Sequence, residues 1–237
     1  MNTLTVTPLH SLPANKANQW LQDGFSLFKQ APVKLFLFLL LPLIIEGIFQ
    51  ILPAPYGMLA SKWAATFVGS SAVIVIHHLA THKVFSLKSI FKAKNWLSMI
   101  PLSAILASAF FIQLFVAKLL LGNDGINLLL FLFSQPTEVT QWQLGIIFAS
   151  IIPVTLPVSF ASYCVLLGEK NVLQALKSSL NAFFYAFKPM CLIALISFLS
   201  LLLAPYTFLL SAIITGPILT CISYIAYRSV FIKNKED

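Results

Sequence analysis

Long runs of apolar residues constrain this chain more than any other feature of its sequence. Six of them contain at most two charged residues apiece and are long enough to cross a bilayer. A helix of about 20 apolar residues spans a hydrocarbon core that is about 30 Å thick. The stretches that we predict to span a membrane are residues 33–54, 57–79, 96–120, 143–167, 189–206 and 208–230.

The composition excludes an ordinary soluble domain. Only 9% of the 237 residues are charged and 59% are hydrophobic, whereas soluble domains contain about 25% charged residues. Much of the protein surface must therefore meet lipid. Because backbone groups in lipid have to be hydrogen-bonded within their own segment, continuous apolar runs predict helices rather than strands. The predicted fold class is all-α, a polytopic membrane protein with six transmembrane helices.

The basic residues predict the orientation of these helices. If the six spans alternate in direction, all but two of the 15 lysines and arginines lie on one side. The exceptions are Lys62 and Lys118. By the positive-inside rule the lysine-rich side is cytoplasmic, and both termini lie there. The net charge of +8 then reflects membrane topology and predicts no nucleic-acid partner.

Three half-polar segments on the predicted cytoplasmic side each precede a pair of spans. Apolar residues recur in them at helical spacing, which is typical of amphipathic helices in the membrane interface. Their predicted partners are the lipid bilayer and its anionic phospholipid head groups. In the third segment, Lys177 and Ser178 are expected to face away from the apolar stripe. The segments are residues 18–29, 83–94 and 170–188, and the predicted membrane-interface residues are Trp20, Phe25, Phe28, Lys88, Lys92 and Lys177.

This order of one interfacial helix and two spans indicates a threefold internal repeat. Ala54-Pro55-Tyr56 recurs as Ala204-Pro205-Tyr206, each time at the turn of a predicted span pair. Proline and tyrosine also collect at membrane boundaries without any duplication, so both explanations stay open. The predicted organisation is a flexible tail (1–13), a single membrane domain (14–232) with units 14–82, 83–167 and 168–232, and a C-terminal tail (233–237).

Two motifs lie near the ends of the chain. The first is W-L-x-x-G-F-x-L-F-x-x-x-P, from Trp20 to Pro32, and the second is LQALKSSLNAFFYAFKP at residues 173–189. Gly216-Pro217 and Tyr224-x-x-Tyr227-Arg228-x-x-Phe231 follow the second motif. Together they resemble an uncharacterised family of Gram-negative bacterial inner-membrane proteins, with a weaker match over residues 96–167. The resemblance implies an inner-membrane, homo-oligomeric protein tied to envelope upkeep, and it supplies no catalytic residues.

Glu46 is the best candidate for a functional group inside the membrane. It lies about 20 Å along the helix from Val33, and a carboxyl at that depth must be protonated, paired or next to water. Gln50 follows one turn later, and Lys62 is the expected partner across the hairpin. The cluster is either a structural contact between helices or a ligand or ion site. Gln113 in the third span is expected to hydrogen-bond between helices or subunits.

The remaining polar residues give little support for catalysis or metal binding. His78 and His82 are spaced i, i+4 and are weak metal candidates, because no Cys, Asp or Glu follows nearby to complete a site. Cys164, Cys191 and Cys221 lie within spans and have no metal or redox spacing. Phosphate-binding loops, a nucleophile elbow and paired catalytic carboxylates are missing from the sequence. We therefore predict a protein that is not an enzyme and needs no cofactor.

Two functions remain open from the sequence. The first is a non-enzymatic inner-membrane protein that supports cell-envelope integrity as a homo-oligomer, for instance a trimer, and affects drug susceptibility. The alternative is a small-molecule or ion transporter or channel with a polar cavity near Glu46. Pro42, Pro153 and Pro157 would then break helices around that cavity, as broken helices do in many transporters.

Overall fold

The described part of the chain is built from helices. The computed structural model describes residues 12–132 and 138–231, and no β-strand occurs among them. Short 3₁₀-helices lie at Leu87–Lys92 and Leu156–Val158. The α-helices are α1 (Lys16–Phe28), α2 (Pro32–Leu39), α3 (Leu41–Phe49), α4 (Tyr56–His82), α5 (Trp96–Ala107), α6 (Phe110–Leu121), α7 (Asn123–Leu130), α8 (Gln141–Ala149), α9 (Ile152–Thr155), α10 (Ala161–Leu166), α11 (Val172–Tyr185), α12 (Phe187–Leu202) and α13 (Leu210–Phe231).

Five helical segments of the described residues are long and apolar enough to cross a membrane. They are Pro32–Phe49, Tyr56–His82, Trp96–Leu121, Gln141–Leu166 and Leu210–Phe231. The predicted span at 189–206 corresponds to α12, which is only about 24 Å long. It reaches spanning length only together with α11, and these two helices meet at 98°. The chain is thus consistent with a multi-pass membrane protein of five spans, or six if the bent pair counts as one.

Prolines interrupt two of these segments. Pro42 stands at the start of α3, directly after the break at Leu40. In the fourth segment, Pro153 and Pro157 open α9 and the second 3₁₀-helix. A proline within a helix has no N–H and clashes with the carbonyl four residues earlier, so the regular hydrogen bonding stops there. The fourth segment is therefore a chain of short helices rather than one rod.

Helix α1 packs against α13 through its small and large apolar residues. Its buried residues are Ala17, Trp20, Gly24 and Leu27. Trp20 is only 2% exposed, so it lies inside the protein, whereas we predicted it on a face in contact with the membrane interface. The reason is that α13 covers this face. Phe25 remains exposed and Phe28 is half-buried, with the Lys29 ammonium 4.5 Å from the centre of the Phe25 ring.

Gly24 permits the close approach of α1 to α13. A Cβ atom at this position would lie 2.5 Å from Cγ1 and 2.6 Å from Cα of Ile222. We expect Gly24→Ala to lower the free energy of unfolding by about 1–3 kcal/mol, because the helices must move apart. Gly216→Ala is the matched control, since nothing lies within 4 Å of a Cβ there. Unfolding in detergent micelles measures both, and equal stability of the two variants would contradict the contact.

Helix α11 buries small residues and exposes large apolar ones. Ala175, Ser179 and Ala182 face the protein. Leu173, Lys177, Leu180 and Phe184 are exposed and follow one another at i, i+4, i+7 and i+11, which places them on one helical face. Lys177 thus lies within the exposed apolar row, and the prediction that it faces away from the apolar stripe is wrong. The protein buries these small residues together with Phe183 and leaves Leu173, Leu180 and Phe184 exposed.

The segment at 83–94 contains a short 3₁₀-helix in place of the predicted amphipathic α-helix. Lys83 and Asn95 both have positive φ, 58° and 67°, so regular helix stops before and after it. Only Leu87–Lys92 remains helical between these breaks, and a first α-helical turn is costly to form in so few residues. Lys88 and Lys92 are exposed, and Phe91 is 89% exposed.

The buried core lies where α4, α10, α11 and α13 meet. Tyr163 stacks on Tyr227 with ring centres 5.0 Å apart. His77 joins α4 to α13 by a hydrogen bond of 3.0 Å between Nδ1 and the Tyr224 hydroxyl. This aromatic cluster fixes one end of the bundle.

The predicted repeat and domain boundaries stay predictions. Ala54-Pro55-Tyr56 lies between α3 and α4, and Ala204-Pro205-Tyr206 lies between α12 and α13, so both motifs do occur at hairpin turns. Most of the predicted tail at 1–13 and the tail at 233–237 fall outside the described residues. Leu12 is described, and its N–H donates to the Tyr185 carbonyl at 3.0 Å.

Candidate functional site

The structure brings Glu46, Gln50 and Lys62 together at the hairpin between α3 and α4. The Lys62 ammonium forms an ion pair with Oε1 of Glu46. Nε2 of Gln50 donates to the same oxygen at 3.2 Å, since residues four apart share a helical face. One carboxylate oxygen thus accepts from both neighbours, and the acid is paired rather than free.

Two residues that the sequence analysis missed complete this cluster. The Lys62 ammonium lies 5.2 Å from the centre of the Phe110 ring, which is buried at the start of α6. Sδ of Met58 lies 3.6 Å from Nε2 of Gln50. The cluster therefore ties α3 and α4 together and reaches α6. No local sequence signal pointed to Phe110, because it depends on how α6 packs against α4.

The ion pair is partly accessible. The side chain of Glu46 is 20% exposed and that of Lys62 is 27% exposed. Charged groups inside a membrane are costly unless they pair, reach water or are covered by protein. A paired carboxylate can hold two helices together and fix their register.

Among the described residues, Gln113 makes no hydrogen bond to the Glu46 cluster. Its Nε2 donates to the Phe148 carbonyl at 3.4 Å. This joins α6 to α8 within one chain. The structure therefore gives Gln113 an interhelical contact, one of the two arrangements that we expected.

The histidines at the end of α4 have separate partners. Nδ1 of His78 lies 3.0 Å from the Val84 carbonyl, and its ring centre is 4.5 Å from that of His82. Among the described residues, no group of three or more His, Cys, Asp or Glu side chains could hold a metal ion. The geometry supplies two imidazoles and no further ligand.

Ser179 has a role that the sequence analysis did not detect. Its hydroxyl donates to the Pro157 carbonyl at 2.9 Å and accepts from the Phe160 N–H at 3.0 Å. Both backbone groups belong to the interrupted fourth segment, where helical hydrogen bonding fails. A fully buried side chain of α11 thereby satisfies two backbone groups that have no helical partner at this break. Nothing in the local sequence distinguishes Ser179 from Ser178, so this role could not be predicted.

No protein-family model matches this chain, and no curated protein or solved structure is significantly similar to it.

Proposed function

We propose that the chain is a non-enzymatic, multi-pass protein of a bacterial inner membrane that supports cell-envelope integrity as a homo-oligomer. The observation that carries this proposal is the pairing of Glu46 with Lys62. Glu46 is the only acid within the five segments able to span a membrane in the described residues. Because Lys62 and Gln50 occupy its carboxylate, the cluster favours a structural role over a relay of protons or ions.

The geometry of α11 supports its assignment as an interfacial helix. If α12 crosses the membrane, the 98° bend lays α11 parallel to the membrane surface. Its exposed row of Leu173, Leu180 and Phe184 then meets acyl chains, and Lys177 extends to the head groups. Helix α1 is braced by α13 and contributes Phe25 and Lys29 on its outer side. The protein would thus hold anionic lipid on its cytoplasmic surface.

The accessible ion pair favours self-association. The segment Pro32–Phe49 has 6% of its residues buried, and Glu46 and Lys62 are both partly exposed beside it. A second copy packed over this face would shield the charges from lipid, which is favourable in a low-dielectric medium. A trimer is one arrangement that achieves this.

Loss of the gene tests the proposed role. We expect a deletion strain of the host bacterium to become more sensitive to detergents and to drugs that must pass the envelope. Expression of the wild-type chain should restore resistance, and the purified protein should contain more than one copy by native mass spectrometry. Unchanged sensitivity together with a monomer would contradict the proposal.

The orientation makes a separate prediction. A reporter enzyme that is active only outside the cytoplasm should be active when fused after Asn127 and silent when fused after Lys92. The reason is that lysine-rich loops stay on the cytoplasmic side. A second reporter that is active only in the cytoplasm serves as the control and should give the opposite pattern. Activity of the first reporter at Lys92 would overturn the orientation and the interfacial assignment of α11.

A carrier or channel is the second candidate, because Pro42, Pro153 and Pro157 do interrupt their segments. Interrupted helices expose backbone groups that can bind a substrate or ion. Transport through the Glu46 cluster requires a carboxyl group at this position. A structural contact requires only that opposite charges face each other. This difference separates the two candidates experimentally.

A further inference from the structure

An open groove lies between the first turns of α5 and α11. Its volume is about 670 Å³. Four of the lining residues are apolar and three are polar but uncharged. The lining residues are Leu97, Ser98, Pro101, Asn171, Val172, Leu173 and Gln174.

Both walls of the groove are fixed by contacts to the rest of the protein. The Asn95 amide donates to the Val165 carbonyl at 3.4 Å, which holds the start of α5 against α10. The Asn171 side chain caps α11 by accepting from the Gln174 N–H at 2.9 Å. Ser179, two turns later, anchors α11 to the interrupted fourth segment. The groove is therefore preformed and needs little ordering when a ligand binds.

Two exposed lysines are close in sequence to the residues that line the groove. Lys94 is three residues before Leu97, and Lys177 is one helical turn after Leu173. Both side chains are exposed, and neither ammonium group makes a hydrogen bond, ion pair or ring contact among the described residues. Lys177 also lies within the exposed apolar row, where Leu173 is 79% exposed and Phe184 is 63% exposed. Charge and apolar surface thus occur side by side.

We propose that this groove binds one anionic phospholipid, with an acyl chain along Leu97, Pro101 and Leu173 and the phosphate group held by Lys94 and Lys177. This rests on the proposed function, in which this end of the protein lies at the cytoplasmic membrane surface. An apolar groove suits an acyl chain, and exposed lysines whose ammonium groups have no partner suit a negative head group. A soluble phosphate compound has no acyl chain, so the groove would add nothing to its affinity. A zwitterionic lipid has no net charge, so the lysines would add little to its affinity.

Lipid titration of the full-length protein tests this site. Native mass spectrometry in a mild detergent should show bound phosphatidylglycerol in preference to phosphatidylcholine. Lys94→Gln with Lys177→Gln should weaken phosphatidylglycerol binding about 25-fold, because each lysine near an anionic lipid contributes about fivefold. Lys16→Gln with Lys118→Gln removes the same charge at positions away from the groove and should leave the preference unchanged.

A variant that fills the groove provides an independent test. Ser98→Phe keeps both lysines but occupies space in the groove, and we expect it to abolish the tightly bound lipid. Glycerol phosphate should not displace phosphatidylglycerol from the wild-type protein, since it lacks the acyl chain. Three results would each overturn the site: no lipid preference, equal loss in the Lys16→Gln, Lys118→Gln control, or full binding by Ser98→Phe. None of them alters the envelope phenotype or the reporter pattern, so failure here is distinct from failure of the proposed function.

Discussion

Ser179→Ala is expected to lower the free energy of unfolding by about 2–5 kcal/mol. The hydroxyl of Ser179 satisfies the Pro157 carbonyl and the Phe160 N–H at the same time. Each buried polar group that loses its partner costs about 1–3 kcal/mol, and an apolar surrounding offers little water to replace it. Unfolding by a denaturing detergent, followed by circular dichroism, measures the difference.

The neighbouring residue provides the matched control. Ser178 is partly exposed and accepts a hydrogen bond of 2.7 Å from the Lys170 ammonium. Because both partners can reach solvent or head groups, Ser178→Ala should change the unfolding free energy by less than about 1 kcal/mol. If the two alanine variants were equally stable, Ser179 would not support the break in the fourth segment.

Charge reversal at the α3–α4 hairpin should have the largest effect of all. Glu46→Lys or Lys62→Glu alone should cost about 3–5 kcal/mol, because each leaves two like charges in an apolar surrounding. The double variant, Glu46→Lys with Lys62→Glu, should recover most of the loss, since opposite charges face each other again. A double-mutant cycle of unfolding free energies gives the coupling energy directly.

An exposed cation on another helix serves as the control for this cycle. Lys118 lies near the end of α6, and its exposed ammonium group has no partner in the described residues. Lys118→Glu should therefore cost little and should not restore stability to Glu46→Lys. A swapped pair no more stable than the single variants would show that the contact contributes nothing to the fold.

The sequence predicted an all-helical chain with several segments able to span a membrane, because these features depend on local apolar length. It also pointed to Glu46, Gln50 and Lys62, since a carboxyl in an apolar run requires a partner and the hairpin brings Lys62 near. These inferences used only chain connectivity and the cost of isolated charge in lipid. They did not require knowledge of how distant helices pack.

The errors concern which apolar face meets protein and which meets lipid. Helical periodicity shows that residues share a face, but lipid and the protein interior are both apolar, so the pattern does not distinguish them. Trp20 therefore appeared as an interface residue although α13 covers it. Lys177 is a different error, because its spacing from Leu173 and Phe184 already places it on their helical face. The role of Ser179 depends on a long-range contact between α11 and a break made by prolines.

We propose that Glu46 and Lys62 hold two helices together and do not move protons or ions. Complementation of the deletion strain by the swapped pair, Glu46→Lys with Lys62→Glu, tests it most directly. We predict that the swapped protein restores resistance to detergents and drugs while the single reversals do not. A swapped protein that folds stably, inserts normally and yet fails to restore resistance would contradict the claim, because the carboxyl group at position 46 would itself be required.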